Sequence, residues 1–462
     1  MYERYHIPSA RAELPSAKIG KLKITRNERC LNCGRCMTVC IYDVHKRDSD
    51  DPRKMSEPRS ELCKRCFSCI QNCPEQALSM GKNEMSEKMG NSYWTPQLIH
   101  TIWNEAEEGK IPVFGAGYGG PFKGTGFDSM WTDMSEIVRP TRDGIHGREH
   151  ISTLVDLGRK LAWISDFKNP KLPVSIEIQV PMLLDTNPLS LNSKNVILST
   201  VRAAHRVRSI AFLDAENYSR ELEPFVESLA FRFLLDKIEG NPSLPWNKIQ
   251  FAEIVLPDAF SPSRLDKTLE TLKEWAPGAL VSLGVTDSEI LDEIYPFFER
   301  ERADILHVYA DRCGRSSKGS SFISETTRQT HLELVKKRTR DEITIIGSGG
   351  LAAAEHVPKL IICGADAVVL DVSLLVAMGC RVCEACDVQH CPADIARLSP
   401  QIAEQRIVNL VCAWRDQLLE VLSAMGIRDV RRLRGEVGRA LFYEEIEREA
   451  FAFIFGRNGQ SA

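Results

Sequence analysis

From about residue 170 the chain alternates short apolar runs with amphipathic stretches. VSIEIQV, SIAFL, IQFAEIVL, GALVSLG, DILHVYA, ITIIGSG and DAVVLD are rich in β-branched residues, which predicts strands. Between them, DKTLETLKEWA, DSEILDEIYPFFERE and TRQTHLELVKKRT repeat apolar positions at the period of a helix with one buried face. Apolar strands followed by helices predict a parallel sheet covered on both sides. Seven such units, with an eighth strand expected earlier in the chain, fit a (β/α)8 TIM barrel. A doubly wound sheet fits less well, because no dinucleotide fingerprint opens it.

Two helical signals flank the barrel. TPQLIHTIWNEAEEGK carries proline in its first turn, where the missing N–H costs nothing. SPQIAEQRIVNLVCAWRDQLLEVLSAMGIRDVRRL predicts one long amphipathic helix and a second short element, packed on the barrel or on a partner subunit. FGAGYGGPFKGTGFDSM is glycine-rich but lacks the strand–helix context of a nucleotide loop and is predicted to be an irregular connection. RPTRDGIHGREHIS, with Arg139, Arg142 and Arg148, is expected to be a solvated strap rather than an anion site. The expected organisation is a domain over 1–85 whose two C-x2-C-x2-C-x3-C runs read as ferredoxin-like, a linker and connection over 86–150, a barrel over 151–395 and a helical extension over 396–462.

Cysteine changes the picture most. The chain has 15, of which 12 fall in three tight groups. Cys30, Cys33, Cys36 and Cys40 are spaced C-x2-C-x2-C-x3-C, and Cys63, Cys66, Cys69 and Cys73 repeat that spacing before Pro74. Three thiolates on a tight loop hold three irons of a cubane, and the fourth cysteine of each run serves the other cluster. The expected ligand sets are therefore Cys30, Cys33, Cys36 and Cys73 for one 4Fe-4S cluster, and Cys63, Cys66, Cys69 and Cys40 for the other. Paired zinc knuckles would use two C-x-x-C pairs per ion and fit the spacing poorly. Ile41 stands where proline commonly follows the fourth cysteine, and a polar insert, IYDVHKRDSDDPRKMSEPRSEL, separates the runs. The third group is Cys380, Cys383, Cys386 and Cys391, directly after the last predicted strand. Cys313, Cys363 and Cys412 stand alone and are expected to be buried, inert thiols.

Composition adds exclusions. A net charge of −4 offers no basic face for nucleic acid, and no apolar run reaches the length of a membrane span. The N-terminal stretch lacks a signal peptide's apolar core, so the expectation is a cytoplasmic protein.

In barrels of this kind, phosphate sites form from the loops after the seventh and eighth strands. Here those loops are GSGGL, with Ser348, Gly349 and Gly350, and LDVSLL, with Asp371 and Ser373. The stretch GSGGLAAAEHVPKLIICGADAVVLDVSLLVAMGC, followed by spaced cysteines, resembles the FMN-binding barrel of the glutamate synthase large subunit. The appended cysteine runs resemble the stand-alone, archaeal-type members. The resemblance implies FMN at the five loop residues just named and a three-iron cluster on Cys380, Cys386 and Cys391. Cys383 is an additional thiol, so a four-iron cubane on all four remains open. Several family segments near the flavin and substrate have no equivalent, and Asp371 stands where the family has a small residue.

What the resemblance implies is an iron–sulfur flavoprotein oxidoreductase. Its partners would be an electron-donor protein or redox subunit and a small substrate, 2-oxoglutarate with ammonia in true glutamate synthases. The alternative is a non-catalytic electron-transfer subunit with a degenerate substrate site. No catalytic residue is assigned: His205, His307, Lys194, Lys318 and Asp311 lie near predicted strand ends, and each has a bland structural reading.

Overall fold

The structure is a computed structural model. It describes residues 5–14, 19–111, 126–132, 150–160, 173–189, 193–235, 237–238, 243–286, 290–317, 321–384, 386 and 391–446. Most of the glycine-rich stretch and the arginines at 139, 142 and 148 lie outside them, as does Lys318.

Eight parallel strands close into a barrel in sequential order. They are β1 (Met182–Asp185), β2 (Ala211–Asp214), β3 (Leu229–Leu234), β4 (Phe251–Val255), β5 (Leu280–Val285), β6 (Ile305–Tyr309), β7 (Thr344–Ser348) and β8 (Ala367–Leu370). Six of the seven sequence runs are barrel strands; the seventh is a correction. VSIEIQV forms Ser175–Ile178, which pairs antiparallel with Val155–Gly158 outside the barrel. Its alternating exposure, with Ser175 and Glu177 outward, is that of a strand covered on one face only. The two strands not singled out are β1, wholly buried MLLD, and β3, where Arg232 interrupts the apolar run LAFRFL.

Helices α1 (Pro96–Glu108), α2 (Lys194–Arg206), α3 (Pro262–Trp275), α4 (Leu291–Glu299), α5 (Ile323–Lys336), α6 (His356–Ile362), α7 (Val372–Ala377) and α8 (Pro400–Ala424) surround the barrel. After β2 the connection is a 3-10 segment, Arg220–Ser228, with Pro224 inside it. Proline lacks the N–H that an α-helical turn would need there. α1 starts at Thr95, whose hydroxyl accepts from the Leu98 amide, and stops at Gly109 in the left-handed conformation. α8 is the predicted long helix; it packs on α1 and α2 and buries Trp414 completely. The short element after it is the 3-10 turn Val430–Gly435. Residues 5–14 also lie against this layer: Tyr5 donates to the Val207 carbonyl at 2.6 Å, and Ile7 sits in the barrel's core.

The cysteine runs occupy a separate small core. Leu22–Arg26 and Leu78–Lys82 pair antiparallel, and Ile24, Cys36, Val44, Met55, Cys69 and Leu78 pack beneath them. Two short helices, Arg35–Val39 and Ser68–Gln71, each begin after a left-handed residue, Gly34 at φ 78° and Phe67 at φ 60°. The repeat in the sequence is therefore a repeat in backbone geometry.

Candidate cluster sites and the barrel mouth

The first and second cysteine runs exchange their last members. Cys30, Cys33 and Cys36 line one cavity together with Cys73. Cys63, Cys66 and Cys69 line another together with Cys40. The thiols stand around these spaces: among the described residues, no three His, Cys, Asp or Glu side chains converge on a point that one metal ion could occupy. Four thiols lining one space fit a cage of four irons, which takes one thiolate per iron. Burial, then the neighbouring Cys63, Cys40 and Cys66, push the Cys69 thiol up to about 11.

The third group forms at the end of α7. The Cys380 amide donates to the Leu375 carbonyl at 2.9 Å, which tucks its thiol inside the fold. Burial raises that thiol to about 12, with Cys386, Cys391 and Cys383 adding to the rise. Cys380 is thus close to each of the other three. Residues 385 and 387–390, between them, lie outside the described set.

One linker joins these groups to the barrel. The Gly90 amide donates to the Arg381 carbonyl at 2.9 Å, and the Asn91 amide group to Glu384 at 3.0 Å. Just beyond, Tyr93 donates its hydroxyl to the Gly350 carbonyl, and the Trp94 indole donates to the Arg312 carbonyl at 2.8 Å. Arg312 in turn pairs with Glu384 at 3.0 Å. Four residues, Gly90, Asn91, Tyr93 and Trp94, therefore touch the third cysteine loop and the loops after β6 and β7.

The structure brings together Ser348, Gly349 and Gly350 after β7 with Asp371 and Ser373 after β8, on neighbouring strand ends. The Ser348 and Ser373 hydroxyls are buried and without a partner, as expected of donors that await an acceptor such as a phosphate. Gly349 and Gly350 have φ of 104° and 71°. A Cβ at Gly350 would lie 2.7 Å from Gly314, so close approach of the loop after β6 accounts for this glycine. Asp371 caps α7 by accepting from the Val372 amide at 2.6 Å. Burial, with Asp185 and Asp311 nearby, raises its carboxyl to about 7, so near neutral pH it is substantially uncharged. In that form it does not repel a phosphate, and the residues present fit one.

Sequence reasoning missed a polar network inside the barrel. Arg232 reaches Asp185 at 2.9 Å, Asp214 at 3.2 Å and Glu253 at 3.3 Å. Glu253 also accepts from the Ser282 hydroxyl at 3.1 Å and from the Tyr309 hydroxyl. His307 bonds Glu253 through Nδ1, while its buried Nε2 has no partner, so it is not the satisfied core residue expected. The available signal was a charged residue inside an apolar strand run, at Arg232 and Glu253. The other candidates are structural: His205 meets the Ser228 hydroxyl at 3.1 Å, Lys194 opens α2, and Asp311 accepts amides of Cys313 and Arg315. Cys363 and Cys412 are buried as expected, whereas Cys313 is only half-buried, because it lies on the loop after β6.

Among the described residues no helix is long and apolar enough to cross a membrane. Residues 22–74 match the 4Fe-4S dicluster domain, and residues 256–428 match the conserved region in glutamate synthase. The archaeal-type glutamate synthase [NADPH] of Dehalococcoides mccartyi is 25% identical over 88% of this chain and 92% of its own length. The archaeal glutamate synthase [NADPH] of Archaeoglobus fulgidus is 26% identical over 89% and 91%. A solved mutant flavocytochrome b2 with benzoylformate aligns at 12% identity over 85% of this chain and 91% of its own, with a TM-score of 0.45. Two family models lie in series along this chain and relatives named archaeal-type glutamate synthases span both, so the chain resembles that family and is a glutamate synthase-like oxidoreductase.

Proposed function

We propose that the chain is an iron–sulfur flavoprotein that delivers electrons from two 4Fe-4S clusters, through a third cluster, to FMN at the barrel mouth. The two ferredoxin-type clusters are held by the ligand sets Cys30, Cys33, Cys36, Cys73 and Cys63, Cys66, Cys69, Cys40. The third rests on Cys380, Cys386 and Cys391, with Cys383 as a fourth thiol if the cluster has four irons. Ser348, Gly349, Gly350, Asp371 and Ser373 would hold the flavin phosphate. FMN, when bound, exchanges single electrons with clusters and electron pairs with a substrate. The observation that carries this reading is the linker: Gly90 and Asn91 touch the third cysteine loop, and Tyr93 touches Gly350.

The substrate in this proposal is a small molecule reduced at the mouth, with 2-oxoglutarate and an ammonia source the first choice by family. A second reading has support from the interior. Arg232, which a dicarboxylate would want, is already engaged by the three carboxylates of Asp185, Asp214 and Glu253. That favours either a less anionic substrate or a chain that only conducts electrons to a partner. The test uses anaerobically purified protein, reduced and freed of excess reductant. Flavin reoxidation on adding 2-oxoglutarate with ammonium or glutamine, with glutamate formed, supports glutamate synthesis. A bound flavin that stays reduced excludes that substrate pair, and protein without flavin supports the conducting role.

A further inference from the structure

The polar insert between the cysteine runs does more than space them. Its first part folds inward: the Arg59 amide donates to the Val44 carbonyl at 2.8 Å, and Val44 joins the small core. Beside it, His45 is 1% exposed and lines the same cavity as Cys40, Cys63, Cys66 and Cys69. Neither of its ring nitrogens has a hydrogen-bond partner. A buried imidazole with both nitrogens orphaned is rare in a folded protein and calls for a partner supplied from outside the chain. Whatever fills the cavity is the group it faces.

We propose that His45 donates an N–H hydrogen bond to a sulfur of the cluster held by Cys40, Cys63, Cys66 and Cys69, and so raises that cluster's reduction potential. This rests on the cluster reading above. Four thiolates already satisfy four irons, so the imidazole is left as a donor rather than a ligand. The sulfurs of such a cluster only accept, and a neutral imidazole carries one N–H to give. A donor stabilises the reduced, more negative cluster more than the oxidised one. The neighbouring cation, Arg26, lines the other cysteine cavity and gives its guanidinium to the Met55 and Ser56 carbonyls, at 2.9 and 3.0 Å. Of the side chains lining this cavity that can donate beside the thiols, Tyr42, His45 and Lys64, His45 is the buried one.

The experiment is a redox titration followed by electron paramagnetic resonance on anaerobically purified, cluster-loaded protein. In His45→Phe one midpoint is expected to fall by about 59 mV, a tenfold weaker reduction equilibrium for one electron. His45→Gln, which keeps an N–H, should fall less, and the cluster on Cys30, Cys33, Cys36 and Cys73 should stay near its wild-type value. Unchanged midpoints in His45→Phe with all clusters present overturn the proposal. If that variant does not assemble, wild-type protein selectively labelled with 15N-histidine decides. A histidine nitrogen coupling to a reduced cluster supports the bond, and its absence overturns it. Wild-type protein without ferredoxin-type clusters would instead defeat the underlying reading, and the proposal with it.

Discussion

His307 and Glu253 meet in the middle of the barrel, Nδ1 to Oε2 at 2.6 Å, with neither side chain reaching solvent. Burial alone would raise the Glu253 carboxyl, but His307, Arg232 and Tyr309 together hold it down to about 2. It is thus ionised and is the acceptor on which the network converges. Glu253→Ala takes one carboxylate from Arg232 and the hydrogen-bond partner from His307 Nδ1, and removing one partner of a buried pair costs about 3–5 kcal/mol. Urea unfolding should show a loss of that size, with Glu253→Gln closer to wild type. Equal stability in all three proteins would mean that the network is not formed.

Asp371 gives the proposed flavin site a pH dependence of definite sign. Its carboxyl is raised from an ordinary 3.8 to about 7, so its neutral form is favoured in the folded state. The associated stability is fully present below about 3.8 and is lost as pH rises through about 7. A charged Asp371 also repels a phosphate. Flavin release, followed by fluorescence, should increase as pH rises through about 7, and Asp371→Asn should flatten the curve. An unchanged pH profile in Asp371→Asn would remove Asp371 from the site.

The exchange of fourth cysteines predicts which cluster each variant damages. Cys73→Ala should abolish the same redox midpoint as Cys33→Ala, although Cys73 belongs to the other run in sequence. Cys40→Ala should instead match Cys66→Ala. If Cys73→Ala matches Cys66→Ala, each run serves its own cluster.

Arg406 ties three segments together at the rear of the third cysteine group. It is wholly buried and donates to the carbonyls of Ala377, Ala12 and Trp103 at 2.5, 2.5 and 3.1 Å. Ala377 ends α7, three residues before Cys380. Arg406→Met leaves several buried carbonyls short of donors, at about 1–3 kcal/mol for each group left unsatisfied. A lowered unfolding midpoint is expected, and Arg406→Lys should recover little, since an ammonium lacks the planar fork.

Much of this was legible from spacing and period. The closed barrel follows the period of the strand runs, and the loops after β7 and β8 fall at GSGGL and LDVSLL. The errors have physical causes. Ser175–Ile178 is β-branched and apolar enough to pass for a barrel strand, but its exposed Glu177 marks a sheet with one wet face. β3 escaped notice because Arg232 breaks its apolar run, and Arg232 is inside only because carboxylates on β1, β2 and β4 converge on it. Such pairing across strands depends on closure of the barrel and has no local signature. His45 was hidden for a similar reason, within an insert whose composition reads as solvated.

Counting electrons tests the central claim most directly. Anaerobically purified protein, oxidised and then titrated with dithionite under spectroscopic observation, should accept about five electrons per chain, one for each of three clusters and two for FMN. Uptake of about two electrons with no flavin bleaching would leave only the dicluster domain loaded and would contradict a path that runs through Cys380 to the barrel mouth.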